Sequence, residues 1–257
     1  MDEEVKYMNK LSTGYSSIGH LKGSRVGPAD RHIDDAQTKR FTEEGPKDRN
    51  CVWFVEEKMD GSNCSVMRIN GEIRTLTRTG YDCTKSNYEQ HKMFDRWVTA
   101  NKDKFEKLLP NEQDRCVGEW MALAHGTVYK DLASPYMIFD LFITNHGKYL
   151  FKGEHGKLHA GPDPQRFPVL LRRKLVNDAG LTNVPLVYQQ TAPISIHEAL
   201  SLVDDNAEGV VYKIEIKNKN CDYSSPYMIG KVVKQDKEDG KYLKEGLEIW
   251  NWTDIVS

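Results

Sequence analysis

The chain has 257 residues, with 36 Lys and Arg against 38 Asp and Glu for a net charge of −2, and 39% hydrophobic against 29% charged residues. That suffices for one large domain or two small ones, and near-neutrality excludes a histone-like basic binder while allowing the cations to be sorted onto one face. No apolar run approaches the roughly 18 residues needed to span a bilayer, the acidic start MDEEVKYMNK is unlike a secretory leader, and the cysteines (51, 64, 83, 116, 221) form no CxxC pair, so the sequence reads as a soluble, cytoplasmic protein with reduced thiols and no zinc site.

Residues 1–50 are rich in Gly, Ser, Asp and Lys, with turns at GPAD (27–30) and EGPKD (44–48), and read as a loop-rich lead-in. From 51 the text becomes strand-like: VWFVEE, then CSVMRI and EIRTLTR joined by Asn70-Gly71, a type I′ hairpin signal. Phe94, Trp97, Val98, Phe105 and Leu108 recur at helical spacing over 87–109 and predict one surface helix stopped by Pro110. Strands are expected at 116–121 and 136–143, the second turning through Asn145-His146-Gly147 into Tyr149-Leu150-Phe151. A helix is expected over 164–179, and another from Ser195, where Ser195-x-x-Glu198 forms a capping box. Strands at 209–216 and 227–233 follow, and Leu243, Leu247, Ile249 and Trp250 predict an amphipathic C-terminal helix over 241–257 packed on a domain spanning 51–240. The pattern is mixed antiparallel sheet with peripheral helices, an α+β class.

Chemistry concentrates at Glu56-Glu57-Lys58-Met59-Asp60-Gly61-Ser62-Asn63, where a lysine ends a hydrophobic strand and Asp-Gly follows two residues later. A side chain at such a junction can point into a cleft, and a lysine becomes a nucleophile when its pKa falls from about 10.4 toward neutrality. Downstream, each on a strand, come Val117-Gly118-Glu119, Ile138-Phe139-Asp140, Glu208-Gly209-Val210-Val211-Tyr212-Lys213 and Lys231-Val232-Val233-Lys234. The successive spacings from Lys58 to Glu119, Phe139, Glu208 and Lys231 are 61, 20, 69 and 23 residues. Glu119, an acid in an otherwise apolar strand, demands a partner. Phe139 in its apolar run also reads as core.

This ordered series resembles the covalent (lysyl-AMP) nucleotidyltransferases: ATP-dependent DNA ligases, RNA ligases and capping guanylyltransferases. EKMDGSN, with Asn63 after Gly61-Ser62, resembles the RNA-ligase pattern more than that of DNA ligases. His20-Leu21-Lys22-Gly23-Ser24-Arg25 is similar to an HLxGSR element of compact bacterial and phage RNA ligases, as is the stretch from Gly118-Glu119-Trp120 to Tyr129. The resemblance covers roughly residues 18–235. One departure is that the family's last motif is usually Lys-x-Lys, whereas Lys231 and Lys234 are three apart and would face opposite ways in a regular strand. Another is that 23 residues after Lys234 leave no room for the OB domain of DNA ligases and capping enzymes.

The resemblance implies an antiparallel-sheet, ATP-grasp-like ligase adenylation domain that joins 5′-phosphate and 3′-OH RNA ends through lysyl-AMP and AMP-RNA. Lys58 would attack the α-phosphorus of ATP, and Lys213 with whichever of Lys231 and Lys234 faces inward would stabilise the phosphoryl charge and depress the pKa of Lys58. Phe139 would stack on adenine, Glu119 accept from the ribose, and Glu208 hold Mg²⁺ or Mn²⁺. Arg78, or failing it Arg74, would contact phosphate or ribose; Glu57, Asp60, Gly61 and Asn63 complete the nucleotide set, with Asp60 shaping the turn or holding the ribose or a metal water. His20, Ser24, Arg25 and Arg172 are candidate RNA contacts, although Arg172-Arg173-Lys174 also reads as a solvated helix face. The implied partners are ATP and RNA, as a nicked duplex, RNA/DNA hybrid or other form, acted on by a monomer. Rival readings are a GTP-dependent capping guanylyltransferase, a minimal DNA ligase and a non-catalytic end-binding protein. If the motif cations share one cleft, the 38 acids should lie mostly elsewhere.

Overall fold

Val52–Val55 is apolar at every position because its strand is covered on both faces. In the computed structural model, which describes residues 10–28, 30–46, 49–144, 165–217, 224–244 and 246–252, β1 (Cys51–Lys58) lies inside an antiparallel sheet ordered β7-β1-β8-β9, with β7 Leu186–Gln190, β8 Gly209–Ile216 and β9 Ser225–Val233. Alternation assigns the faces. Trp53 and Val55, with Tyr212 and Ile214 of β8, pack into a core closed by Phe41 of helix α1 (Asp35–Thr42), by Leu21 and by Ala199 of α5 (Ile196–Ser201). Val52 and Phe54 turn the other way, against Val169.

At Met59-Asp60-Gly61 the chain leaves this sheet for a second one, ordered β3-β2-β4-β5-β6: β2 Ser62–Ile69, β3 Glu72–Thr77, β4 Arg115–Trp120, β5 Tyr136–Ile143 and β6 Gln165–Arg166. Asn70 and Gly71 both have positive φ (52° and 77°), as the predicted hairpin requires. The outer face of this sheet packs on α2 (Glu89–Ala100), α3 (Lys102–Leu108) and α4 (Val169–Asp178) through Phe94, Trp97, Phe105, Trp120 and Tyr136, whose rings lie 4.8–6.4 Å apart. The inner faces of the two sheets meet over Met59, Met121, Met137, Val184 and Phe139.

Several expectations are corrected. The helix over 87–109 is two helices, broken at Asn101 (φ −112°, ψ 21°), and the helix expected from 164 begins at Val169, behind Pro168 and the short strand β6. Strand β7, half-exposed and without clean alternation, was not expected. Among the described residues the C-terminal helix reduces to α6 (Lys241–Lys244); Leu243 and Leu247 are exposed, while Trp250 packs on the core of the second sheet. The capping box at Ser195 is present with both of its hydrogen bonds. The Asn145–Phe151 turn and strand, and Cys221, lie outside the described residues; the other four cysteines are buried and free.

The lead-in is not a separate layer. Its residues 18–25 add to the edge of β9, with Leu21 N donating to Lys231 O (2.9 Å), Lys231 N to Gly19 O (3.0 Å) and Arg25 N to Val233 O (3.0 Å). Leu21 is fully buried. Leu21→Ala should therefore cost about 2–5 kcal/mol in urea unfolding, as for other large-to-small core changes; a loss under about 1 kcal/mol would show that the segment does not dock.

Candidate active site

The period of two that buries Val55 and Tyr212 on one face of the first sheet turns Glu56, Lys58, Val211, Lys213, Ile229 and Lys231 onto the other. That face looks across at Asn63, Glu119 and Phe139 of the second sheet, and Tyr15, Ser16 and Ile18 of the lead-in close one side of the cleft between them. Lys58 stands at the crossing point, where β1 ends and the chain changes sheets. Gly61 is required there: a Cβ at this position would lie 2.4 Å from Trp120 O. The turn is held from outside, since Asp60 N donates to the Tyr129 hydroxyl (3.1 Å) and its carboxylate accepts from Gly126 N (2.8 Å). Asp60 thus shapes the turn.

Lys58 is 21% exposed and makes a short ion pair with Glu208, itself buried at the mouth of β8. Burial alone would lower its pKa, but Glu208 and then Glu119 outweigh that and raise it. The expected depression by neighbouring cations is thus overturned, because the neighbours nearest its ammonium are carboxylates. Glu119, directly across from Asn63 in the β2–β4 register, accepts from Gly61 N (3.2 Å), and burial drives its pKa up to about 8. Asn63 Oδ1 is buried without a hydrogen-bond partner beside the cleft. Among the described residues no three His, Cys, Asp or Glu side chains converge as a metal cage. A lone carboxylate such as Glu208, paired with Lys58 beside the cleft, suits a cation that keeps water and phosphate oxygens as its other ligands, as Mg²⁺ does.

Lys213 is not free to reach a ligand as it stands. Its three donors go to Phe139 O (2.5 Å), Glu56 Oε2 (2.9 Å) and Asp140 Oδ1 (3.0 Å). Glu56 also binds Arg172, whose guanidinium donates again to Phe139 O, and Asp140 forms an ion pair with Arg166 (3.0 Å) and accepts from the Tyr15 hydroxyl (2.5 Å). Burial pushes both carboxyls up, yet Arg172 and Lys213 hold Glu56, and Lys213 and Arg166 hold Asp140, below the usual range. The Tyr15 ring meets Phe139 edge to face at 5.6 Å. Tyr15, Glu56, Asp140 and Arg166 were not marked by the sequence; only the mid-strand charges Glu56 and Asp140 could have signalled such a network.

Lys231 lines the cleft and, among the described residues, has no ion-pair partner; Arg78 borders it too, its Nη2 on Ser17 Oγ at 2.7 Å, whereas Arg74 pairs with Glu72. Lys234 lies beyond the end of β9 and donates to Asp204 O (2.8 Å) and Asp205 O (3.2 Å), away from Lys58. Glu57 borders the cleft, but burial and Asp204 raise the pKa of its carboxyl. The candidate RNA contacts mostly turn inward. His20 and Ser24 are 3% exposed and bond to each other (2.8 Å), Ser24 Oγ accepting also from Val233 N; Arg25 pairs with Asp239 at 3.1 Å; and Arg172 is 1% exposed inside its ion network.

A family model described as RNA ligase matches residues 52–233. Among solved structures, the fold is similar to a Naegleria gruberi RNA ligase (TM-score 0.50, 14% identity, covering 91% of this chain and 58% of that one). A mutant of a Naegleria gruberi RNA ligase with AMP and Mn gives TM-score 0.49 at 13% identity, covering 92% and 62%. The chain therefore spans about three-fifths of those proteins. Among curated proteins none matches.

Two predictions follow from the charges. Arg172→Ala leaves Glu56 buried without its main partner and should cost about 3–5 kcal/mol in denaturant unfolding, whereas a change within about 0.5 kcal/mol, typical of a surface site, would show a solvated arginine. Between its ordinary pKa of 4.5 and about 8, Glu119 keeps a proton when folded that it loses when unfolded, so stability falls as pH rises across that window. Glu119→Gln needs no such proton, and its midpoint should gain on wild type from pH 5 to 8 and level off above; a pH-independent difference would contradict the raised pKa.

Proposed function

The chain belongs to the RNA ligase family, and on that premise we propose that it is an ATP-dependent RNA ligase in which Lys58 becomes covalently adenylylated. The observation that carries this reading is the Lys58 ammonium at the crossing of two sheets, paired with Glu208 and lining a cleft together with Glu119, Phe139, Lys231 and Arg78.

Lys58 Nζ, once deprotonated, attacks the α-phosphorus of ATP; an N–P bond forms, the bond to the bridging oxygen breaks, and pyrophosphate leaves. Glu208, already against the ammonium, is the acceptor within reach of that proton. Glu208 is also the carboxylate that would hold Mg²⁺ or Mn²⁺, which when bound would supply positive charge for the phosphoryl oxygens. Lys231 and Arg78 stabilise the charge that builds on those oxygens, since neither is committed to a carboxylate. Phe139 offers its ring to adenine, its plane fixed by Tyr15 on the edge and by Lys213 and Arg172 on its carbonyl. Asn63 Oδ1 and Glu119 are acceptors for ribose hydroxyls. In the steps that follow, AMP passes to the 5′-phosphate of an RNA and a 3′-OH displaces it, closing the phosphodiester. Lys213 and Arg172 act from behind the nucleotide, as positioning residues.

Incubation with α-labelled ATP and Mg²⁺, quenched in SDS, should give a protein–AMP adduct that is alkali-stable and acid-labile, as an N–P bond is, and that Lys58→Ala abolishes. Lys231→Ala should slow adduct formation about 10²-fold or more, in the range of losing one charge-stabilising donor, while Lys234→Ala, whose ammonium is bonded to Asp204 O and Asp205 O, changes it less than about threefold, the rate equivalent of the roughly 0.5 kcal/mol typical of a surface site. An adduct that persists in Lys58→Ala, or that forms from GTP in preference to ATP, overturns the reading.

A further inference from the structure

The nucleotide cleft does not end at Lys231. Its lining residues Lys213 and Ile229 also border a second depression, with Arg166 and Tyr227, and Tyr227 in turn borders a third, with Lys39, Arg40 and Arg49. The three therefore adjoin, with Lys213, Ile229 and Tyr227 as their shared walls. Lys231 to Tyr227 spans four residues of strand, about 13 Å, and the groove then passes onto the last turn of α1, where Lys39 and Arg40 are exposed.

The charges along it are unevenly opposed. Lys39, Arg40 and Arg49 have no ion-pair partner among the described residues, and Arg166 is already bound to Asp140. Of the acids on the path, Glu215 is 2% exposed with both oxygens occupied, by Val169 N (2.7 Å) and Ser224 Oγ (2.5 Å), which leaves Glu44 as the acid at the surface of the third depression. In the midst of these cations the Tyr227 ring is 41% exposed, with the Arg49 guanidinium 5.0 Å from its centroid. The ring sits at an irregularity of the ladder: Ile214 pairs with Met228 and Glu215 with Pro226, so Tyr227 is the extra residue, bulged out. An exposed aromatic ring flanked by unpaired cations beside a backbone-tracking groove is the arrangement that stacks unpaired bases and follows phosphates.

We propose that this groove binds an unpaired stretch of the RNA strand whose end lies in the cleft, with a base stacked on Tyr227 and phosphates on Lys39, Arg40 and Arg49. The inference rests on the RNA-ligase reading for the identity of the polymer. It differs from the contacts expected from the sequence, since His20, Ser24 and Arg172 are buried and these four residues replace them. The interior of a duplex offers no free base face to the ring, and an acidic peptide would use the cations but not the ring.

The test is fluorescence anisotropy with 5′-phosphorylated single-stranded RNA of twelve and of three nucleotides, without ATP, on wild type, Tyr227→Ala, Tyr227→Phe and the triple variant Lys39→Ala/Arg40→Ala/Arg49→Ala, with thermal midpoints as the folding control. The dodecamer should bind about tenfold more weakly to Tyr227→Ala, and the triple variant should lower the slope of log K against log salt by about 2. Tyr227→Phe should match wild type and the trimer should be indifferent to all variants. Dodecamer binding unchanged in both alanine variants, equal losses for trimer and dodecamer, or competition by polyglutamate equal to that by RNA would overturn the proposal. Because no ATP is present, the outcome is separable from the parent reading: absence of a Lys58–AMP adduct removes the ligase assignment without touching this measurement.

Discussion

The cleft depends on a buried set of charges that ties the first sheet to the second, to helix α4 and to the lead-in. Glu56 comes from β1, Lys213 from β8, Asp140 and the Phe139 carbonyl from β5, Arg172 from α4 and Tyr15 from the lead-in, and all are bonded to one another within one connected network. Two carboxylates, Glu56 and Asp140, serve four cations, Lys213, Arg166, Arg172 and Arg173. Such a network is costly to bury and contributes little net stability compared with an apolar packing of the same shape. Its effect is geometric. It fixes how far apart the two sheets stand and where Phe139 sits, and removing any one member leaves the others charged in a space from which water is largely excluded. An apolar seam would let the sheets slide; this one has few satisfied arrangements.

The same logic governs Lys58. Burial among cations would keep such a lysine neutral, but here Glu208 keeps it charged and held. The ammonium is positioned yet unreactive until its carboxylate partners are engaged by something else. Lysine and glutamate thus restrain each other, with the raised pKa of Glu119, about 8, as part of the cost. The carboxylates of Glu57, Glu119 and Glu208 are less stable there than in water, and the fold around Met59–Gly61, braced by Tyr129 and Gly126, holds Lys58 among them.

Much of this was legible in the residues. The strands β2, β3, β5 and β8, the Asn70-Gly71 turn and the Ser195 capping box follow from alternation and local hydrogen bonding, which act within a few residues and so are written in short windows. The motif residues Lys58, Glu119, Phe139 and Lys231 do line one cleft, with Glu208 paired to Lys58 beside it. What could not be read depends on contacts across the chain. Helix 87–109 breaks at Asn101 although the apolar spacing continues, because α2 and α3 each pack separately on the second sheet. Arg172 and Lys213 look like surface cations in one dimension; their burial is set by Glu56 and Asp140, 116 and 73 residues away along the chain. Lys231 and Lys234 differ only in that β9 stops between them. Tyr15, in a Gly- and Ser-rich stretch with no period, gave no signal, and its position follows from the docking of residues 18–25 against β9.

The sorting of charge also differs from the simplest expectation, that a near-neutral chain with motif cations in one cleft would put its acids elsewhere. Glu56, Glu57, Glu119 and Glu208 lie in or at the edge of the cleft with the lysines. The cleft is therefore close to balanced, and a polyanionic ligand meets there a set of ion pairs, with Lys231 unpaired and Arg78 bonded only to a neutral hydroxyl among the described cations. Such a site attracts weakly at long range, because paired charges cancel beyond a Debye length of about 8–10 Å. It discriminates strongly at contact, because a ligand must supply an anion where Glu208 now sits against Lys58 and must offer Glu208 another partner in exchange. On the proposed reading, a nucleotide triphosphate accompanied by its divalent cation meets both demands at once, and neither free phosphate nor a bare metal ion does. Long-range attraction for the second substrate would then come from outside the cleft, from cations that no buried carboxylate has already claimed.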